Sequence, residues 1–513
     1  MPSRTNPSSG PVHNFKRPDM SWRDHLVMLL TSGAEIEHAL MVQYLYAAYS
    51  IDGDQPSEAR RAMVEGWRAS ILSVAREEMG HLLTVQNVLV LLGAPINLGR
   101  EMLPWDHEFY PFPFSLEPLS KETLQRFIYA EMPMLGSLGA AAPGKQREKL
   151  VPPDIDGQAA TIREITAELA RRYDAGRVEK DMHRVGELYA EIIDLIEDPE
   201  RIPDSEFNEA SYDMQASWDD WGRGYKPPPH SLDPEGGLDP GSDPARVEPE
   251  AAYRDLLANR AAHVQIERAA TRAQAVAALR ALAAQGEAPQ LKQHETGEPS
   301  HFERFVQIYR DIAACDPPWP TPAVLPNPTT RKDFAKLRPN HSSNVTYIST
   351  DDDEVAAHYF AQLFNQRYRL LLTYLAHTFR LARTQPNHRP GLRGMVMHRV
   401  FGEMYNLKTI AGLLGRLPVH GGRASPPFEM PYSLDLPQAD PDIWRLYDDL
   451  LVNSHHTCSE VFRIARRIAV MNGQIARIGG DVYLRTLMNI DGETRRWIGK
   501  ILASGRVSER ADH

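Results

Sequence analysis

Apolar residues recur every three to four positions through most of this chain, and the runs are cut by proline-rich or glycine-rich breaks. That period predicts helices, and the strict alternation of half-buried strands is sparse. The first helix is expected over residues 21–50, opening at Ser21 or Asp24 and closing before the polar DGDQPS. Its inner stripe is Leu30, Gly33, Glu37, Leu40, Tyr44 and Ala48. A second helix is expected from about Ser57 to Leu92, where GAP ends it. The following MLPWDHEFYPFPFSLEPL is too apolar for a free linker and is expected to pack along the helices. Further helices are predicted near 120–132, 158–198, 249–286, 299–314, 352–384, 391–416, 440–472 and 478–503. GYKPPPHSLDPEGGLDPGSDPARVEPE, by contrast, sustains neither period and reads as a linker or excursion. No short-period repeat is evident, and the expected fold class is all-α.

Composition narrows the chemistry. The 513 residues are 42% hydrophobic and 24% charged, enough for one large core or several smaller ones. A formal net charge of -11, without a dense Lys/Arg run, argues against a nucleic-acid partner. Two cysteines, Cys315 and Cys458, form neither a disulfide framework nor a CxxC pair, so any metal would be held by Glu, Asp or His. The N-terminal segment has no apolar core, and no run reaches the roughly 18 apolar residues of a membrane span. The expectation is a soluble, cytoplasmic protein with no membrane partner.

Ionisable residues on apolar helix faces change the picture most, because a carboxylate stripped of water needs a compensating partner. In SVAREEMGHLL, the spacing of Glu78 and His81 turns both side chains to one side of the helix, the side occupied by Ile71, Val74, Ala75, Leu82, Val85 and Leu89. One Glu-x-x-His alone is weakly specific, and two others occur, Glu35 to His38 and Glu298 to His301. A constellation says more. Dinuclear carboxylate bundles take one Glu from each of two helices and a Glu-x-x-His from each of the other two. Glu37, on the first helix's apolar stripe, suits one lone-Glu slot; Glu187, beside Val185, Leu188 and Ile192, suits the other. Tyr44, Tyr46 and Tyr189 lie near these positions, either as hydrogen-bond donors and redox tyrosines or as core residues with tethered hydroxyls.

LTSGAEIEHALMVQYLYAAYSI, ILSVAREEMGHLLTVQNVLVLLGAPINL, HRVGELYAEI, LRALAAQGEA and SHFERFVQI, in that order, resemble the ferritin-like domain of the iminophenyl-pyruvate dimer synthase family. The likeness runs from about residue 25 to 315 and more loosely to PPFEMP near 430. It implies a ferritin-like four-helix bundle with long Pro-rich insertions and additional C-terminal helices. It also implies Glu37, Glu78, His81, Glu187, Glu287 and His301 as metal ligands, with Glu298 competing with Glu287 for the fourth-helix position. Where the family shows a TIPPYL context after the first glutamate, this chain reads LMVQYL, so a straighter helix is expected there.

The division expected is a flexible stretch over 1–20, a metal-binding bundle over 21–315 with excursions at 100–120 and 225–250, a helical extension over 316–435, and a C-terminal helical pair over 436–513. An oxygen-rich ligand set suits a pair of iron ions, with manganese the alternative. The expected function is a di-iron oxidase or oxygenase taking O2 or peroxide and a small organic, amino-acid-derived substrate in specialised metabolism, with Tyr44 and Tyr189 as catalytic candidates. The alternatives are a peroxide-dismutating or iron-oxidising ferritin-like protein and a non-catalytic helical scaffold. Homo-oligomerisation is left open.

Overall fold

The computed structural model describes residues 19–107, 110–132, 158–173, 178, 185–217, 264–287, 299–316, 318–319, 322–334, 344–381 and 392–505. The expected flexible N-terminus, apart from its last residues, and the excursion at 225–250 lie outside them. The fold is all-α. Its helices are α1 (Trp22–Ser50), α2 (Glu58–Leu91), α3 (Lys121–Ala130), α4 (Gln158–Arg172), α5 (Val185–Glu197), α6 (Arg272–Glu287), α7 (His301–Ala313), α8 (Val355–Thr378), α9 (Leu392–Leu414), α10 (Asp440–Ala465), α11 (Ala469–Ile478) and α12 (Gly480–Ser504). The strands described are two-residue pairs, Pro328–Thr329 parallel to Thr346–Tyr347 and Pro418–Val419 antiparallel to Gly422–Arg423.

Serine caps fix the starts of the helices that matter here. Ser21, Ser57 and Ser120 each accept a hydrogen bond from a backbone N–H in the first turn of α1, α2 and α3. At the far end of α2, Gly93 takes the left-handed conformation, φ 63°, that turns the chain out of the helix.

The first bundle is a closed ring in which α1 packs on α2, α2 on α6, α6 on α5 and α5 on α1, while α7 lies against α2, α6 and α3. Residues 264–269 run so close to α2 that a Cβ on Gly80 would drive into the Gln265 carbonyl oxygen. Glycine there, between Glu78 and His81, is therefore a packing requirement. The aromatic stretch after α2 is packed, as its composition suggests. Tyr110, Phe112 and Phe114 are buried, Tyr110 and Phe114 touch with ring centroids 4.5 Å apart, and the Ser115 amide donates to Gln43 of α1 at 3.1 Å.

The C-terminal half forms a second four-helix arrangement. α8 packs on α9 and α10, and α10 on α12. Arg399 of α9 closes the ring by donating to Thr494 of α12 at 2.9 Å. The helices on either side of residue 435 thus share one core, and three helices rather than a pair occupy the last stretch. Each helix of the ring sends one side chain to the centre: Arg367 from α8, Glu403 from α9, Ser454 from α10 and Asp491 from α12. Arg367 donates from Nε to Glu403 Oε2 at 2.6 Å and from Nη1 to Asp491 Oδ1 at 2.7 Å, and Ser454 donates to Asp491 Oδ2 at 3.0 Å. All four are buried. Helix α1 is tied to the C-terminal half at two points, since its His38 meets Tyr368 of α8 and its Tyr46 hydroxyl meets Ser425 and the Leu325 carbonyl.

Removing the central cation should be costly. Arg367→Met leaves two buried carboxylates uncompensated and is expected to lower stability by about 3–5 kcal/mol. Gly80→Ala is expected to cost about 1–3 kcal/mol through overpacking. Thermal or denaturant unfolding of both variants checks these values, and an unchanged midpoint for Arg367→Met would contradict this account of the second core.

Candidate metal centre

In α1, Glu37 faces inward one turn after Gly33, whose missing side chain leaves the Tyr189 hydroxyl ordinary contact distance. In α2, Glu78 and His81 share the inner face at i and i+3. Glu77, one residue earlier and turned by about 100°, leaves that face and points to α7. Helix α7 begins at His301, and a capping box between Ser300 and Glu303 fixes its first turn. Glu131 is the C-cap of α3.

These elements converge on Glu78. Its Oε2 lies 2.9 Å from His81 Nδ1, and its Oε1 lies 2.9 Å from His301 Nδ1. Glu37 Oε2 stands 3.7 Å from His81 Nδ1, and Glu131 Oε2 stands 3.7 Å from His301 Nδ1. Each flanking acid is held by a phenol: Tyr189 donates to Glu37 Oε1 and Tyr44 donates to Glu131 Oε1, both at 2.5 Å. The two imidazoles stack with centroids 5.3 Å apart. Glu37, Glu78, His81, Glu131 and His301 are all buried. A small cavity opens beside Glu37, Glu78, His81, Glu131 and Tyr189, walled by Leu40, Val185, Gly186, Leu282, Ala283 and Gly286.

The charge balance is unusual for an apolar interior. Burial, followed by the neighbouring Glu78 carboxylate, pushes the Glu37 carboxyl up to about 7. Burial alone would lower His81, but Glu78 and then Glu37 outweigh it and push the imidazole up to about 10. His301 is likewise held well above its ordinary value, against burial, by Glu78 and its other acidic neighbours. Glu78 itself is shifted down, because His301 and His81 outweigh burial and the repulsion of Glu131. Burial, then Glu131 beside Tyr44 and Glu37 beside Tyr189, keeps both phenols protonated and donating. Positive charge is thus drawn into the centre wherever it can be found, here as protons.

The donor set fits a metal ion. Glu78, His81 and His301 each offer a ligand atom within 4.8 Å of the others. Glu78 Oε1 and His301 Nδ1 face one another at 2.9 Å without the alignment of a hydrogen bond. Oxygen and imidazole ligands suit iron or manganese.

Of the residues picked from sequence, the structure brings Glu37, Glu78, His81, His301, Tyr44 and Tyr189 together. Glu187 is elsewhere. It is half-buried and absent from the cavity wall. The inward stripe of α5 is Val185, Gly186 and Tyr189, and at 3.6 residues per turn the side chain at 187 leaves that stripe. Glu131, from the end of α3, stands in the cluster beside His301. Glu287 ends α6, directly after the cavity-lining Gly286, but its side chain lies outside the described residues, as does Glu298. Glu131 and Glu77 escaped the sequence reading. An acid closing the apolar run Phe127-Ile128-Tyr129-Ala130 was the available signal for the former.

Residues 30–219 match the family model described as ferritin-like. The chain carries a ferritin-like domain. The chain is similar, over 155 residues at 39% identity, to the dichlorochromopyrrolate synthase of Lentzea aerocolonigenes, covering 26% of this chain and 15% of the relative. It is also similar, over 143 residues at 34% identity, to the 2-imino-3-(indol-3-yl)propanoate dimerase of Chromobacterium violaceum, covering 23% of this chain and 13% of the relative. The resemblance to the iminophenyl-pyruvate dimer synthase family therefore holds, over part of the chain. The chain spans less than a sixth of the length of these curated relatives. No solved structure matches it. His301 lies beyond the residues matched by the ferritin-like family model, and the fold alone delivers it to the centre. Among the described residues, no helix is long and apolar enough to cross a membrane.

Substitutions separate this ligand set from the one expected from sequence. Glu78→Ala should abolish retention of both ions, Glu131→Ala or His301→Ala should lose one, and Glu187→Ala should keep both, as read by metal analysis after desalting. Loss of metal in Glu187→Ala with full retention in Glu131→Ala would reverse the assignment.

Proposed function

We propose that the ferritin-like domain holds two transition-metal ions, iron before manganese, and oxidises a small amino-acid-derived molecule with O2 or peroxide. The observation that carries this reading is Glu78 set between two imidazoles from separate helices, with Glu37 and Glu131 flanking it inside an apolar ring. The names of the two relatives point the same way: one dimerises an imino acid bearing an indole, the other makes dichlorochromopyrrolate. A 2-imino acid with an aromatic side chain is accordingly the substrate class proposed.

Glu37, Glu78, His81, Glu131 and His301 would be the ligands. The ions would supply the electrons for reducing the oxidant. The chain's own contribution is positioning and exclusion. Tyr189 and Tyr44 hold Glu37 and Glu131 by one oxygen each, leaving the other oxygen toward the imidazoles. Leu40, Val185 and Leu282 keep water from the side of the centre facing the cavity. The Tyr189 hydroxyl, on the cavity wall, retains a proton within reach of anything bound there. Cys315 and Cys458 are free thiols, in keeping with a reducing, cytoplasmic setting.

One observation favours a second reading. The cavity has room for about one water molecule, so peroxide dismutation or iron oxidation, needing only small species, fits the space as it stands. Fe(II) added anaerobically, followed by air with and without an aromatic 2-imino acid, separates the two. Oxygen uptake that depends on the imino acid is expected. Rapid O2 release from peroxide, with no effect of the imino acid, would favour the second reading, and failure to bind Fe(II) would overturn both.

A further inference from the structure

The two imidazoles are built alike on their inner sides and differently on their outer sides. Inward, each presents Nδ1 to one oxygen of Glu78 at 2.9 Å. Outward, His301 Nε2 meets Glu77 Oε2 at 2.9 Å, whereas His81 Nε2 meets the side-chain amide oxygen of Gln285 at 3.0 Å. Glu77 is fully buried and doubly anchored, since Arg304 Nη1 donates to its Oε1 at 2.7 Å and Ser73 donates to the same oxygen at 3.1 Å. Arg304 follows His301 by one turn of α7, so a single helical turn supplies both the imidazole and the cation that keeps its carboxylate partner in place.

An outer hydrogen bond fixes which imidazole nitrogen is free to ligate, and a charged acceptor makes that nitrogen a stronger donor than a neutral one. We propose, building on the dinuclear reading above, that the two metal positions are unequal by design. The position bounded by His301, Glu78 and Glu131 is the tight one, secured through Glu77 and Arg304. The position bounded by His81, Glu78 and Glu37 is the looser one, its imidazole held by the neutral Gln285 amide. Glu77, Arg304 and Gln285 are positioning residues; none of them is a ligand in this account.

The test is anaerobic titration of the full chain with Co(II), followed by absorption and calorimetry, alongside the thermal midpoint of each metal-free protein. Wild type should fill in two distinguishable steps. Glu77→Gln should weaken the tighter step by about 10–100-fold, the usual effect of losing such a partner, and leave the looser step unchanged. Glu77→Asp should restore part of the loss. Gln285→Glu should tighten the looser step and narrow the gap, which keeps the question decidable if Glu77→Gln fails to fold. Two indistinguishable steps in wild type, equal weakening of both steps in Glu77→Gln, or no tightening in Gln285→Glu would overturn the inequality while leaving the dinuclear centre standing. A wild-type chain that takes up no Co(II) at all would instead overturn the dinuclear reading on which this one rests.

Discussion

Everything at the centre of the ferritin-like domain depends on one carboxylate, Glu78, placed where water cannot reach it and where two imidazoles can. A buried carboxylate is tolerable only when paired, and Glu78 is paired twice, through different oxygens, to histidines that the chain brings from α2 and from the first turn of α7. Glu37 and Glu131 then add further negative charge on either side. The accumulated demand for positive charge is visible in the imidazoles, both of which are held above their ordinary protonation range. Divalent ions would answer that demand with coordination as well as charge.

The second four-helix ring faces the same physical problem and solves it differently. Glu403 and Asp491 are as deeply buried as the acids of the first centre, and each helix of the ring again contributes one polar side chain. Here the compensating cation is the chain's own guanidinium, Arg367, whose fixed fork of donors serves both acids at once. That core is closed and leaves no ligand atom waiting. The comparison shows that burial of acids alone does not mark a metal site: what distinguishes the first bundle is the gathering of two imidazoles on one carboxylate, with two further acids beside them.

The sequence carried much of this, and its failures have definite causes. Glu37, Glu78 and His81 were legible because they interrupt long, strongly periodic apolar faces, and a helix's phase says which way they point. Glu187 misled because α5 is short and its apolar residues surround the acid in sequence without fixing the phase; the stripe that turns inward is Val185, Gly186 and Tyr189. Glu131 and His301 enter at helix ends, one as the C-cap of α3 and the other as the first residue of α7. Each continues its helix's buried stripe, Glu131 after Leu124, Phe127 and Ile128 and His301 before Phe305, Ile308 and Ile312, but a single residue at a helix end carries little periodicity signal. His301 was found only through the family resemblance, and Glu131 only in the fold. The outer partners, Glu77 and Gln285, depend on tertiary contacts across more than two hundred residues of sequence, and nothing local announces them. The second bundle was legible as helices but not as a unit, because its closure rests on contacts such as Arg399 with Thr494 that join helices far apart in the chain.

The account is most exposed at the position of the ions themselves. Anomalous diffraction at the iron edge, from crystals of the full chain grown with Fe(II), should show two peaks, one between Glu78 and His81 with Glu37 adjacent, the other between Glu78 and His301 with Glu131 adjacent. No peak within reach of Glu78, or iron found only on surface carboxylates, would contradict the claim that these buried acids and imidazoles are gathered to hold metal.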